Sequence, residues 1–484
     1  MNYKMMGRFH ALILAILAVF MIPAMIICLL DGTAKTAVSF AVSMALTAAV
    51  AALLALISRG AKRDFYIREG LICVGSSWIV ISFFGCLPFW LSGEIPGFLD
   101  ALFEMVSGFS TTGASVVADV EALSRGALYW RSFSNWLGGM GVLVFLLALL
   151  PTGGRNEGFT MHLFRAESPG PEVGKLVPSL RKTARVLYLT YIALTVANFI
   201  FLLFGDMPLF DALCASLSTA GTGGFGIKND SMASYSPYIQ NVTTIFMLLF
   251  GVNFSCYYLM LLGKLKSVFR DEELRMYIGM VVGAIALIAL NTRHLFDTLG
   301  ETVRHAAFQV ATVVTTTGFA STDFDLWPTF SKTVLLLLMV IGACAGSTGG
   351  GMKCSRVLLL FKNLKRNIAR ILQPSRVQVI RVNGKTVDEQ VVSNTGAYLA
   401  AYVILLIFST LVLAIDGHSF ETTFTAALSA MNNIGPGLDA AGPTCNYTIF
   451  SPLSKIVLIL DMLAGRLEIF PVLILFSPRA WRKK

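Results

Sequence analysis

Asp100-Ala-Leu-Phe-Glu-Met-Val-Ser-Gly-Phe-Ser-Thr-Thr-Gly113 returns three more times along the chain, and its reading decides the fold. Anchored on its last glycine, the second copy is Asp211-Ala-Leu-Cys-Ala-Ser-Leu-Ser-Thr-Ala-Gly-Thr-Gly-Gly224. The third is His305-Ala-Ala-Phe-Gln-Val-Ala-Thr-Val-Val-Thr-Thr-Thr-Gly318, and the fourth is Thr422-Thr-Phe-Thr-Ala-Ala-Leu-Ser-Ala-Met-Asn-Asn-Ile-Gly435. The register has no gaps. Ser107, Ser218, Thr312 and Ser429 share the column six residues before the glycine, and Thr111, Thr222, Thr316 and Asn433 share the column two before it. In the second copy Gly223 is a rival anchor, but the Asp-Ala-Leu opening shared with the first copy favours Gly224.

Around these copies the chain is built for lipid. Of its 484 residues 55% are hydrophobic and only 14% charged, against about 25% charged in soluble domains. Apolar runs at 9–30, 38–58, 67–91, 128–151, 183–204, 238–263, 274–290, 332–345, 396–415 and 452–476 predict ten spans. The first run is too long for a signal-peptide core, has no small-residue cleavage site behind it, and reads as retained. Eight cysteines without paired spacing indicate neither a disulfide framework nor a zinc site.

The net charge of +10 is a matter of topology. Of 38 Lys and Arg, 29 fall in alternate segments, 1–8, 59–68, 152–185, 264–275, 353–385 and 477–484. That asymmetry predicts that both termini are cytoplasmic and removes the need for a nucleic-acid partner.

Each copy therefore lies between two spans on the opposite side. It reads as a helix of about ten residues followed by a Gly/Thr loop, too short to cross a bilayer. Irregular backbone at membrane depth survives only where protein buries it or where it lines a water-filled cavity. Four such loops around an axis would form rings of carbonyl oxygens able to replace an ion's hydration shell. The helices' negative C-terminal ends would favour a cation there. Glu94, Asp100, Asp119, Glu121, Asp211, Asp323, Asp325 and Asp439 would add negative potential at the mouth. Small residues also line ordinary membrane helix crossings. Four matching copies favour the pore.

These residues resemble a known family. Ser110-Thr-Thr-Gly-Ala-Ser115, Thr315-Thr-Thr-Gly-Phe-Ala-Ser321 and Asn432-Asn-Ile-Gly-Pro436 are similar to the filter loops of the Trk/Ktr/HKT superfamily of potassium transporters. Gly342-Ala-Cys-Ala-Gly-Ser-Thr-Gly-Gly-Gly-Met-Lys353 and Leu463-Ala-Gly-Arg-Leu-Glu-Ile-Phe470 fit the same pattern. Two extra N-terminal spans resemble the TrkH/TrkG branch more than the KtrB branch. The resemblance implies an all-α membrane protein with four membrane helix–pore loop–membrane helix repeats around one pore, plus two N-terminal transmembrane helices. The units are expected at 1–62 (the N-terminal pair), 63–155, 156–270, 271–372 and 373–484.

The implied selectivity filter is Ser110, Thr111, Thr112 and Gly113, then Gly221, Thr222, Gly223 and Gly224, then Thr315, Thr316, Thr317 and Gly318, then Asn432, Asn433, Ile434 and Gly435. Potassium is expected at Thr111, Thr112, Thr222, Gly223, Thr316, Thr317, Asn433 and Ile434, as cargo and not as a catalytic cofactor. In the family a serine in place of the first-loop glycine goes with sodium; here Gly113 is glycine, which favours potassium. The resemblance also implies a homodimer in the bacterial inner membrane, gated by a cytoplasmic nucleotide-binding ring of the TrkA type.

Two features sit where a gate is implied. Residues 342–351 hold five glycines inside an apolar run, and each glycine weakens a helix by about 1 kcal/mol. Gly346, Ser347, Thr348, Gly349, Gly350, Gly351 and Lys353 are expected in a flexible loop beneath the filter; a tight GxxxG crossing is the alternative. Arg466 lies within the last span, where a guanidinium costs about 2.5–3.5 kcal/mol unless it meets water or an acceptor. It either faces the pore, as the family's arginine does, or pairs with Asp461 or Glu468. The basic stretch 353–385 suits either anionic lipid or a regulatory partner.

No Ser/His/Asp group, HExxH or phosphate loop supports an enzyme. A proton- or sodium-coupled secondary transporter with alternating access is the competing transport class.

Overall fold

The computed structural model describes residues 2–60, 67–141, 180–374 and 378–481. The end of the 128–151 run, most of the basic segment 152–185 and the expected boundaries near 62 and 155 lie outside the described residues.

The first span, Tyr3–Phe20 and Ile22–Leu30, breaks at Met21, where Pro23 has no N–H for the carbonyl four residues back. It packs on Ala34–Ile57. The latter presents Ser39, Ser43, Thr47 and Ala51, all buried, at four-residue spacing. Each hydroxyl donates to a carbonyl one turn back, at 2.9, 2.7 and 2.7 Å, so no polar atom is stranded at this close crossing.

The rest is one motif repeated four times. The first helices are Ile67–Gly85 (continued by Leu87–Ser92), Leu180–Leu203, Glu272–Thr292 and Glu389–Leu413. The short pore helices are Phe98–Phe109, Leu209–Gly221, Leu299–Val314 and Phe420–Asn432. The second helices are Arg125–Gly139, Pro237–Phe250, Thr329–Ile341 and Pro452–Arg466. Asp100, Asp211, Glu301 and Glu421 lie in the first turns of the pore helices, where the dipole's positive end favours an anion.

The second helices differ from the expected unbroken spans. The 238–263 run bends by 88° between Pro237–Phe250 and Phe254–Leu261, and the last run stops at Arg466 and resumes at Phe470. Glycines mark close contacts in these helices. A Cβ on Gly138 would collide with Phe109 O, and one on Gly465 with Met431 O, the same atom of the motif in repeats one and four. The second helices thus run hard against the C-terminal ends of the pore helices. Among the described residues six helices are long and apolar enough to cross a bilayer, or seven counting the bent pair.

Tyr3 Oη donates to Trp481 O at 2.8 Å, so both chain ends share one face, called the terminal face below. Leu30, Val38, Leu53, Leu189, Val282, Leu290, Ile404 and Leu411 remain exposed on the long helices. An apolar exterior around helices whose backbone bonds close internally identifies a multi-pass membrane protein.

Candidate functional site: a ring of four loops and the loop beneath it

Every pore helix ends in the same way. The residue two before the ring glycine is left-handed: Thr111 (φ 57°), Thr222 (53°), Thr316 (57°) and Asn433 (55°). Its N–H reaches back to Gly108 O, Thr219 O, Val313 O and Ala430 O, respectively. The next N–H bonds to the carbonyl of the shared hydroxyl column: Thr112 to Ser107 (2.9 Å), Gly223 to Ser218 (3.0 Å), Thr317 to Thr312 (2.8 Å) and Ile434 to Ser429 (3.0 Å). This is the Schellman ending, which normally puts glycine at the left-handed position. Threonine there is a steric outlier, costing about 1–3 kcal/mol, and occurs in three of the four loops. Gly224, not Gly223, has positive φ, at 65°, which fixes the second loop's register.

The four glycines close a ring. A Cβ on Gly113 would strike Gly223 O, one on Gly224 would strike Thr317 O, and one on Gly318 would strike Ile434 O. A Cβ on Gly435 would lie 2.7 Å from Thr112 O, which returns the circuit to the first loop. Each glycine therefore seats the carbonyl of the next loop, in sequence order. Gly113, Gly224, Gly318 and Gly435 all line one open vestibule, with Asn229, Lys228 and Pro436 among its walls.

The residues three before the glycine serve the wall. Ser110 and Thr315 share hydrogen bonds with Thr112 (2.7 Å) and Thr317 (2.8 Å), Gly221 fits against Asn135 O, and Asn432 Nδ2 donates to Tyr402 Oη (2.8 Å). The acids around the mouth are mostly engaged. Asp100 pairs with Lys455 at 2.6 Å, Asp325 with Lys332 at 3.3 Å, and Asp211 accepts from Tyr235 Oη at 2.8 Å. Ser419 and Thr422 hydroxyls hold Asp439 below the ordinary carboxylate pKa, so it stays charged.

Beneath the ring, residues 342–353 leave the helix and pack. Gly350 N donates to Thr316 Oγ1 at 2.6 Å, and a Cβ on Gly349 would lie 2.8 Å from Thr315 O. Thr348 N and Oγ1 both donate to Phe250 O, the carbonyl freed by the bend in repeat two, at 3.4 and 3.3 Å. Lys353, left-handed and buried, returns its ammonium to Gly349 O. Ser347, Thr348, Gly349, Gly350 and Gly351 are buried, and Gly346 alone of the expected gate residues is exposed.

Arg466 joins the two layers. Its Nη1 donates to Thr111 Oγ1 (3.1 Å) and Thr348 O (2.9 Å), and its Nη2 to Gly139 O (2.5 Å) and Gly138 O. The cation thus sits on the negative end of helix Arg125–Gly139, with ring and glycine loop as its other partners. The acids weighed as its mates have partners of their own: Glu468 meets Arg356 at 2.5 Å, and Asp461 accepts from Ser409 at 2.7 Å.

A buried ion pair and a further carboxylate escaped sequence reading. Glu104 and Arg131 form a fully buried pair at 2.7 Å behind the first loop, and Glu104 Oε2 accepts from Val116 N at 3.0 Å. Arg131 also donates to Gly226 O at 3.3 Å and covers the Phe225 ring at 4.2 Å, so the pair braces two loops just past their glycines. The signal was present: Glu104 shares a column with Ala215, Gln309 and Ala426. The other group, Glu273, binds the glycine loop and is taken up below.

A membrane protein whose four pore helices end on one closed ring of glycines and carbonyls belongs to the pore-loop class of cation transport proteins. Comparison with known proteins narrows this. The TrkH family profile, described as cation transport protein, matches residues 36–483. The Trk system potassium uptake protein TrkH of Salmonella typhimurium is 35% identical over 492 residues, covering all of both chains. TrkG of Escherichia coli K12 is 36% identical over 421 residues, 86% of each. The crystal structure of the potassium transporter TrkH from Vibrio parahaemolyticus superposes with a TM-score of 0.88 at 32% identity over both full chains. This chain belongs to the TrkH cation transport family.

Proposed function

We propose that this chain takes up potassium across the bacterial cytoplasmic membrane, through a filter formed by the four loops and gated by the loop at 342–353 with Arg466. The carrying observation is the closed ring, in which each glycine seats the carbonyl of the next loop. Carbonyl oxygens of Thr112, Gly223, Thr317 and Ile434 supply neutral ligands for a weakly hydrated monovalent cation. Relatives along the whole chain are named potassium uptake proteins, which supports the same cargo. The terminal face is the cytoplasmic one by its Lys and Arg excess. There a nucleotide-binding ring of the TrkA type regulates a homodimer with one pore per subunit.

A conduit driven by membrane potential suits the site better than coupled alternating access. Glu468 and Glu104 are each ion-paired with an arginine, Arg356 and Arg131, which leaves them poor carriers of a coupling proton. The potential supplies about 2.3 kcal/mol per charge per 100 mV.

The test is rubidium uptake into proteoliposomes against sodium and choline, for wild type and Gly113→Ser. Potassium- and rubidium-selective uptake that loses selectivity in Gly113→Ser is the expected result. Absence of cation flux at every imposed potential would sink the reading.

A further inference from the structure

One carboxylate holds the glycine loop by both feet. Glu273 lies in the first turn of helix Glu272–Thr292, and its Oε1 accepts from Ala345 N at 2.6 Å and from Ser355 N at 3.1 Å. Ala345 lies within the loop, and Ser355 is the second residue of the helix Cys354–Leu372 that follows it. That helix starts from Lys353, which offers no side-chain acceptor to its first turn. Orphan N–H groups and the positive end of a dipole call for an anion there. Glu273 provides it from a different helix. Because both N–H groups meet on one oxygen, the feet cannot part without losing a hydrogen bond.

A second set of bonds ties the neighbours of Glu273 in the chain, Asp271 and Glu272, to a hairpin on the terminal face. Strands Arg381–Val382 and Lys385–Thr386 are joined by Asn383-Gly384, with φ of 51° and 77°, as a tight two-residue hairpin requires. Asn383 N donates to Glu272 Oε1 at 2.9 Å, its Oδ1 accepts from Glu272 N at 2.9 Å, and its Nδ2 donates to Asp271 Oδ2 at 2.7 Å. Lys362, on Cys354–Leu372, bonds both the Glu272 carboxylate and Arg381 O. The exposed hairpin, the start of helix Glu272–Thr292 and the helix behind the loop are thereby one hydrogen-bonded body.

We propose that Glu273 is a positioning residue of the gate. It staples the glycine loop in its packed conformation, and the hairpin is the handle through which movement on the terminal face reaches that loop. This rests on the gate reading given above. The staple stabilises the closed arrangement, so cutting it favours opening.

Single-channel recording of the full-length protein in bilayers separates the alternatives, using wild type, Glu273→Ala, Glu273→Gln, Asn383→Ala and Arg466→Ala. Glu273→Ala is expected to raise open probability by up to about tenfold, the upper worth of one hydrogen bond. Glu273→Gln keeps an acceptor oxygen and should raise it less, and Asn383→Ala should act in the same direction. Unitary conductance and the potassium-to-sodium permeability ratio stay at wild-type values, which a merely structural defect in the ring would not allow. Should Glu273→Ala fail to assemble, Glu273→Gln and Asn383→Ala decide by the same readout. If Arg466→Ala raises open probability while no Glu273 or Asn383 variant does, the staple is wrong and the gate stands. If none of them moves it, gate and staple fall together.

Discussion

Four copies of one loop build the ring, whereas a single unrepeated loop, 342–353, lies beneath it. In the ring every contact recurs four times: the left-handed residue, the two backward hydrogen bonds, the glycine against the neighbouring carbonyl. Below the ring, among the described residues, each repeat contributes a different part. Repeat three supplies the loop, repeat four supplies Arg466, repeat two supplies the freed Phe250 carbonyl, and repeat one supplies Gly138 and Gly139. An ion on the axis needs equivalent ligands on all sides, so the ring is constrained to sameness. An obstruction needs only one element that can leave, and asymmetry below the ring provides it.

The comparison breaks first at the glycines. In Gly318→Ala a methyl group meets Ile434 O while the backbone stays at φ 87°, combining overpacking of about 1–3 kcal/mol with a left-handed penalty of about 1–2 kcal/mol. Selective rubidium uptake should disappear, together with much of the folded yield in a thermal-stability assay. Wild-type selectivity and stability in Gly318→Ala would show that the third and fourth loops do not touch as described.

Sequence alone made the ring legible because repetition turns weak signals into columns. Thr111, Thr222, Thr316 and Asn433 could be aligned before anything was known of their φ angles. The left-handed strain itself was not legible, since threonine is a poor resident of that region and nothing in its identity announces it. The breaks in the second helices were also hidden. Pro237–Phe250 and Phe254–Leu261 read as one apolar run, because a bend of 88° at Gly251 leaves hydropathy unchanged. Glu273 is a different case. It stands beside Glu272 at a helix start, where acids are ordinary, and only the fold brings it to Ala345 and Ser355.

Arg466→Ala tests the asymmetric half with a smaller effect. The guanidinium ties Thr111, Thr348 and the end of helix Arg125–Gly139, and charge-assisted bonds of this kind are worth about 1.5–3 kcal/mol. Proteoliposome flux should rise roughly ten- to hundredfold, with little change in potassium over sodium preference. A fall in flux would mean that Arg466 holds the ring open instead of closing the path below it.

The finest division lies within one column of the ring. Thr316 Oγ1 accepts from Gly350 N of the glycine loop at 2.6 Å, whereas Thr222 Oγ1 donates at 2.6 Å to its own neighbour, Gly221 O. The two residues have the same φ region and the same place in the motif, so both must keep the ring's shape. Only Thr316 also touches the loop below. Valine preserves the branching of either side chain and removes the hydroxyl. A hydrogen bond between membrane segments averages about 0.6 kcal/mol, so Thr316→Val should raise flux roughly threefold. Thr222→Val should leave flux unchanged, because no bond to the glycine loop is lost. Equal responses in the two variants, measured side by side in the same liposomes, would mean that the hydroxyls serve the ring alone, and that ring and loop are not coupled through Thr316.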